Sequence, residues 1–299
     1  MQGECKLCRN NCDLQNSHIV PAFVYRWLKE TSPTGHLRSS EQPNLRRQDG
    51  QKEYWLCSDC EGMFGEWENL FATEVFRPTA KSSTRNIPYR EWMLKFAVSL
   101  TWRVLTYVSE FGDVNHLSAE QSKQADLARE EWALFLLGKV PHPGPYEQHM
   151  LLTDEIASHD GGELPTNINR YLLRSIDIDV VANPKEAIVY VGLPRVILIG
   201  FISVATRKKW KGTKLHVKKG TVGPDRTEVP GELFEYIVDK AGTMQAMQRN
   251  LSTKQKRKVN EAFHRNAAHV HETDGLRAMD ADFRLFGDAV FEGEDDSQH

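Results

Sequence analysis

Four cysteines, arranged as Cys5-x2-Cys8 and Cys57-x2-Cys60, are the residues of this chain whose types and spacing most clearly carry chemistry. A Cys-x2-Cys turn lets two thiolates reach one tetrahedral ion, and a second pair closes the shell, so the spacing predicts a structural Zn²⁺. With no open coordination position, such an ion holds a fold together and does not turn over a substrate. It contributes directly to the folding of a segment too small to bury a core of its own. Cys12 is the spare thiol, a bystander with the reach to replace Cys8. All five cysteines fall in the first 60 residues. An odd count in such pairs fits a reduced compartment better than a disulfide framework. A cytoplasmic location is therefore expected, and no apolar stretch follows Met1 to act as a secretory signal.

The elements that must position these thiols are legible in part. Residues 1–78 form a unit rich in Cys, Trp, Asn and charge, interrupted by a polar loop over 31–53. A helix is expected from near Cys60, where Met63, Phe64, Trp67, Leu70, Phe71 and Val75 recur at helical spacing, with Pro78 just beyond its end. Between the pairs lies Ser17-His18-Ile19-Val20-Pro21, then Asn44 in the loop, and Glu61 directly after Cys60. A first Cys pair, a His-Ile-x-Pro strand, a loop Asn and a Leu-Cys-x2-Cys leading into a helix resemble the HNH endonuclease superfamily. The likeness is to the branch whose ββα-metal module, a treble clef, is braced by a separate zinc, and it covers residues 5–76 only.

That resemblance implies a metal-dependent endonuclease hydrolysing phosphodiester bonds, of DNA ahead of RNA, in a setting such as bacterial defence or a mobile element. His18 matches the family's general base, Asn44 the residue that orients it, and Glu61 a position able to ligate a catalytic Mg²⁺ or Mn²⁺. Glu68, seven residues on, shares the face of Glu61. The chain departs from the family at Ser17, where an acidic or His ligand is usual, and in the long step from Asn44 to Cys57. The alternative is a zinc-dependent scaffold that binds nucleic acid or protein without cleaving it.

Residues 79–290 read as a mixed helical and β-sheet domain, making the whole chain α+β. Helices are expected over 89–137, strands over 171–218 and helices over 230–270, with an acidic tail at 291–299. From Tyr89 to Val108 the chain is apolar apart from a stripe at Lys95, Ser99, Arg103 and Thr106, as in a largely buried helix. Trp92, Trp102 and Trp132 sit at core positions. Ser118 with Gln121 forms a capping box for the next helix, ahead of a loop at 138–167 rich in Pro and Gly. Residues 187–205 are long and apolar enough to suggest a membrane span, but Pro194-Arg195 at the middle favours two buried strands joined by a turn. No membrane partner is expected.

Net charge is −3 over 299 residues, so the chain as a whole is no polycation. Its cations are concentrated, however. Arg207, Lys208, Lys209, Lys211, Lys214, Lys218 and Lys219 crowd thirteen positions around Trp210, a pattern suited to phosphates with a base stacked on the indole. Lys254, Lys256, Arg257 and Lys258 form a second cluster at a helix start. The alternative for the first stretch is a lysine-protected sheet edge. His264, His269 and His271 read as surface residues. No phosphate-cradling glycine loop, nucleophile elbow or dinucleotide fingerprint is present, which argues against a kinase, an elbow-type hydrolase or a dehydrogenase. A protein partner for the C-terminal region is a further expectation.

Overall fold

The computed structural model describes residues 1–39, 42–82, 84–159, 163–265 and 273–291. Strands run over Gln2–Glu4 (β1), Asn11–His18 (β2), Leu37–Arg38 (β3), Arg46–Arg47 (β4), Lys52–Cys57 (β5), Ile87–Arg90 (β6), Gln148–Leu152 (β7), Asp177–Ala182 (β8), Ala187–Leu193 (β9), Val196–Ser203 (β10) and Lys219–Val222 (β11). Helices cover Ala22–Glu30 (α1), Ser58–Phe71 (α2), Arg77–Ser82 (α3), Trp92–Phe111 (α4), Ala119–Leu136 (α5), Ile168–Arg174 (α6), Gly231–Arg249 (α7), Thr253–Arg265 (α8) and Asp274–Phe286 (α9). The fold is thus mixed α and β. Its segments gather in two units: Met1–Pro21, Gly50–Leu152 and Ile176–Val229 in the first, Ala22–Asp49, Thr153–Ser175 and Pro230–His299 in the second. The segment Gly50–Leu152 passes unbroken through position 78, where the sequence suggested a boundary.

In the first unit, β1, β2 and β5 form a three-stranded sheet, and β7-β10-β9-β8 a four-stranded antiparallel one. Residues 187–205 supply β9 and β10, turning at Pro194-Arg195 with Arg195 at φ 65. Among the described residues no helix is long and apolar enough to cross a membrane. Helices α4 and α5 pack on β10, so closely that a Cβ on Gly200 would lie 2.9 Å from Trp132 Cη2. The polar stripe of α4 is mostly buried. Ser99 and Thr106 return their hydroxyls to the carbonyls of Phe96 and Trp102, which makes their burial cheap. Phe71 of α2 stacks on Phe96 of α4 at 4.0 Å, joining the N-terminal segment to this core.

Three elements of this unit depart from expectation. Strand β7 replaces part of the predicted loop; its Gln148 and His149 break the apolar alternation, yet in the core Thr101 donates to Gln148 Oε1 and Thr213 hydrogen-bonds His149 Nδ1. Strand β11, Lys219–Val222, falls just past the region 171–218 where strands were expected, and pairs with β6, itself drawn from what read as the start of a helix. Helix α2 runs without a break through a π-helical turn, Ala72–Phe76, into α3, and Pro78, which has no N–H to give, follows that turn directly.

The second unit is mainly helical. Helix α6, expected as strand, meets α7 and α9. Asp282 of α9 is fully buried and accepts from Asn169 N at 2.7 Å, Arg170 N at 3.2 Å and Arg170 Nε at 2.8 Å. Helix α9, beyond the helices expected over 230–270, is thus docked, with Ala278 and Ala281 buried beside Asp282. The predicted tail beyond Phe291, and His269 and His271, lie outside the described residues.

Candidate metal centre

The Sγ atoms of Cys5, Cys8, Cys57 and Cys60 all lie within 4.8 Å of one another. Four sulfurs at about 2.3 Å from a tetrahedral zinc are spaced by about 3.8 Å. The Cys8–Cys57 separation of 3.9 Å fits that edge.

Local backbone geometry explains how the chain delivers them. Cys5 and Cys8 sit on a knuckle after β1, closed by Arg9 N to Cys5 O at 2.8 Å and Cys5 N to Asn10 O at 2.9 Å. The knuckle forces Arg9 to φ 65, a conformation that L residues rarely adopt. Cys57 ends β5 and caps α2, so Cys60 falls one turn into the helix. The Cys57 and Cys60 amides point at sulfur, Cys57 N to Cys5 Sγ at 3.3 Å and Cys60 N to Cys57 Sγ at 3.4 Å. Such donors stabilise thiolates. Burial raises the Cys5 thiol, but amides from Cys8, Cys57 and Leu7 bring it down to about 7. Burial and the neighbouring thiols push Cys60 well up, and burial does the same to Cys8. Four crowded thiolates cannot all ionise alone, whereas a divalent soft-tolerant cation such as zinc removes the conflict. Among the described residues this quartet is the one group of three or more His, Cys, Asp or Glu side chains gathered closely enough to hold an ion. Cys12 is half-buried outside it.

The other expected site residues are placed as follows. His18 is the last residue of β2 and opposite Lys52 of β5. The register of β2 on β5 slips between Gln15 and Asn16, so Leu14 and Ser17 are both buried and His18 takes the opposite, half-buried face. Ser17, turned inward, is no ligand candidate. The carbonyl of His18 accepts from Arg103 Nη1 at 2.9 Å. Arg103 is 2 % exposed on α4, donates Nε to Ser99 O at 3.2 Å, and forms an ion pair with Glu68 Oε1 at 2.7 Å. Glu68 is therefore committed to Arg103. Glu61, two turns earlier on α2, has a buried carboxylate oxygen with no hydrogen-bond partner. Asn44 belongs to the second unit, where its Nδ2 donates to Asn250 O at 3.2 Å and its Oδ1 accepts from Ser252 N at 2.8 Å.

The basic stretch is answered by acids of its own unit. Arg207 and Lys214 both reach Glu147, at 2.9 and 2.8 Å, and Lys211 pairs with Glu228. Trp210 is buried; its indole packs on Phe201 and His149, at 5.2 and 5.1 Å, and offers no open face to a base. Lys208, Lys209, Lys218 and Lys219 are exposed. Sequence reasoning missed Arg103, whose place in a polar stripe gave no hint of its partners, and missed Glu147 and His149. No family model, curated protein or solved structure matches the chain.

Proposed function

We propose that the first unit carries a zinc-braced, HNH-like ββα-metal module, and that the protein is a metal-dependent endonuclease acting on DNA ahead of RNA. The observation that carries this reading is Glu61, placed one residue after a zinc-ligand candidate, with a buried carboxylate oxygen that no donor meets. A buried anionic oxygen without a partner is costly, and a hard divalent cation satisfies it. His18 lies on the same strand–helix module, its backbone fixed by Arg103 while its ring is half-buried. In this reading His18 takes the proton from the attacking water, and Glu61 holds Mg²⁺ or Mn²⁺. The cation would offset charge on the phosphate and the leaving oxygen.

The test is cleavage by zinc-loaded wild type, His18→Ala and Glu61→Gln on plasmid, linear duplex, single-stranded DNA and RNA, with and without Mg²⁺ or Mn²⁺. Metal-dependent cleavage that falls at least about 100-fold in His18→Ala, at unchanged zinc content, is the expected result. No cleavage of any substrate by zinc-loaded wild type overturns it. A second reading, a zinc-dependent scaffold binding nucleic acid or protein, draws on the commitment of Glu68 to Arg103 and of Asn44 to Asn250 and Ser252.

A further inference from the structure

The second unit gathers cations that the site above does not use. Arg38 and Arg46 stand directly opposite one another in the β3–β4 pair, with Arg47 beside them. Like charges in that relation repel, and nothing in the backbone obliges the chain to place them there. Arg38 spends its fork on Pro43 O at 2.7 Å and on Gln255 Oε1 of α8 at 3.2 Å, which docks the hairpin against the start of that helix. Asn44 makes the same junction through Asn250 and Ser252. Burial, and then the charge of Arg46, pull the pKa of Arg38 down, the mark of cations crowded together. Arg46 keeps a buried Nε with no acceptor. The first turns of α8 add Lys254, Lys256, Arg257 and Lys258, and the chain from 240 to 260 contains six Lys or Arg and no acid. Arg257 pairs with Glu261 at 3.5 Å, and Lys254 and Arg257 are exposed.

We propose that the β3–β4 hairpin and the start of α8 form a nucleic-acid surface that grips the phosphodiester backbone, with Arg46, Lys254, Arg257 and Lys258 as its contacts. Arg38 and Asn44 are its positioning residues. The choice of ligand rests on the nucleic-acid reading above; the location does not. The planar fork of Arg46 matches a phosphate's oxygens, and the α8 cations extend the positive surface beside it. An anionic membrane is the poorer fit. Among the described side chains of the hairpin and α8, Leu45 is the one large apolar group exposed, too little to enter a lipid surface.

The experiment measures binding of a labelled DNA duplex, its single strand and the matching RNA to the zinc-loaded full chain, with Ca²⁺ in place of Mg²⁺ so that no turnover intervenes. One variant carries Arg46→Gln, Lys254→Gln, Arg257→Gln and Lys258→Gln. A second carries only Lys254→Glu and Arg257→Gln, both at exposed positions. A control carries Lys123→Gln, Lys139→Gln and Lys185→Gln. Losing four phosphate contacts is expected to weaken duplex binding about 100-fold or more and to flatten the salt dependence by about 3.6 in log–log slope. The pair at exposed positions should lose at least about 10-fold, and the control less than about 3-fold. Unchanged binding by the first two variants overturns the proposal. So does loss confined to a Lys208, Lys218 and Lys219 variant, or binding to phosphatidylserine vesicles without binding to nucleic acid. A protein that binds through these residues but cleaves nothing leaves this surface standing and removes the nuclease. Cleavage with binding indifferent to these residues does the reverse.

Discussion

Replacing Glu68 by Ala should expose how much of the first unit depends on one buried charge. Arg103 is 2 % exposed and holds three groups: His18 O, Ser99 O and the Glu68 carboxylate. Its guanidinium also lies 5.2 Å from the Phe64 ring. Removing one partner of a buried ion pair strands the other charge, at a cost of about 3–5 kcal/mol. The side chain of Glu68 is 18 % exposed, so water reaches the vacated side and the lower end, about 3 kcal/mol, applies. Glu68→Gln keeps an acceptor oxygen and loses only charge assistance, about 1–2 kcal/mol. Arg103→Met combined with Glu68→Leu removes both charges and should recover part of the Glu68→Ala loss, less the hydrogen bond withdrawn from His18 O. Urea denaturation of zinc-saturated protein, read at tryptophan, is the assay; six of the seven tryptophans lie in the first unit and report on it. A Glu68→Ala loss below about 1 kcal/mol, or a double variant no better than the single one, would refute the account.

Other consequences are as direct. The purified chain should carry one zinc, and Cys60→Ser should lose it together with the structure around β2, β5 and α2, as metal analysis and circular dichroism would show; retention of stoichiometric zinc would contradict the quartet. Arg9→Gly should stabilise the zinc-loaded protein by about 0.5–1 kcal/mol, since φ 65 strains any residue with a Cβ, and a destabilised variant would count against the knuckle geometry. Burial holds His149 neutral, its pKa lowered to about 4 from 6.5 despite Glu147 nearby. The unfolded chain therefore binds the extra proton between those values. The stability so conferred is fully present above pH 6.5 and is lost as the pH falls through about 4. His149→Gln should flatten that part of the urea-midpoint profile, and an unchanged slope would disprove the assignment.

What was legible in the sequence followed from local rules. The two Cys-x2-Cys pairs announced a metal cluster because two-residue spacing is itself the geometry. The Ser118–Gln121 capping box fixed the start of α5, and Pro194-Arg195 marked the turn between two strands. The failures were all long-range. Gln148 and His149 hide a strand because polar residues in a core are intelligible only once Thr101 and Thr213 are beside them. Asp282 gave no sign of burial until Arg170 and two backbone amides, more than a hundred residues earlier, appeared as its partners. Asn44 showed the same limit. A loop Asn in a suggestive motif turned out to spend both ends of its amide more than two hundred residues away.

The alternation of chain segments between two units sets a timetable for synthesis. Cys60 completes the thiol quartet with more than 230 residues still to follow, so metal capture is open to a nascent chain. Strand β6 has no such opportunity, because its partner β11 follows more than 120 residues later. At ~5–20 residues per second that edge waits roughly 6–26 seconds for its partner to be made. An early zinc anchor followed by a long-delayed strand closure makes the interval between them the time at which nascent chains would most need a chaperone.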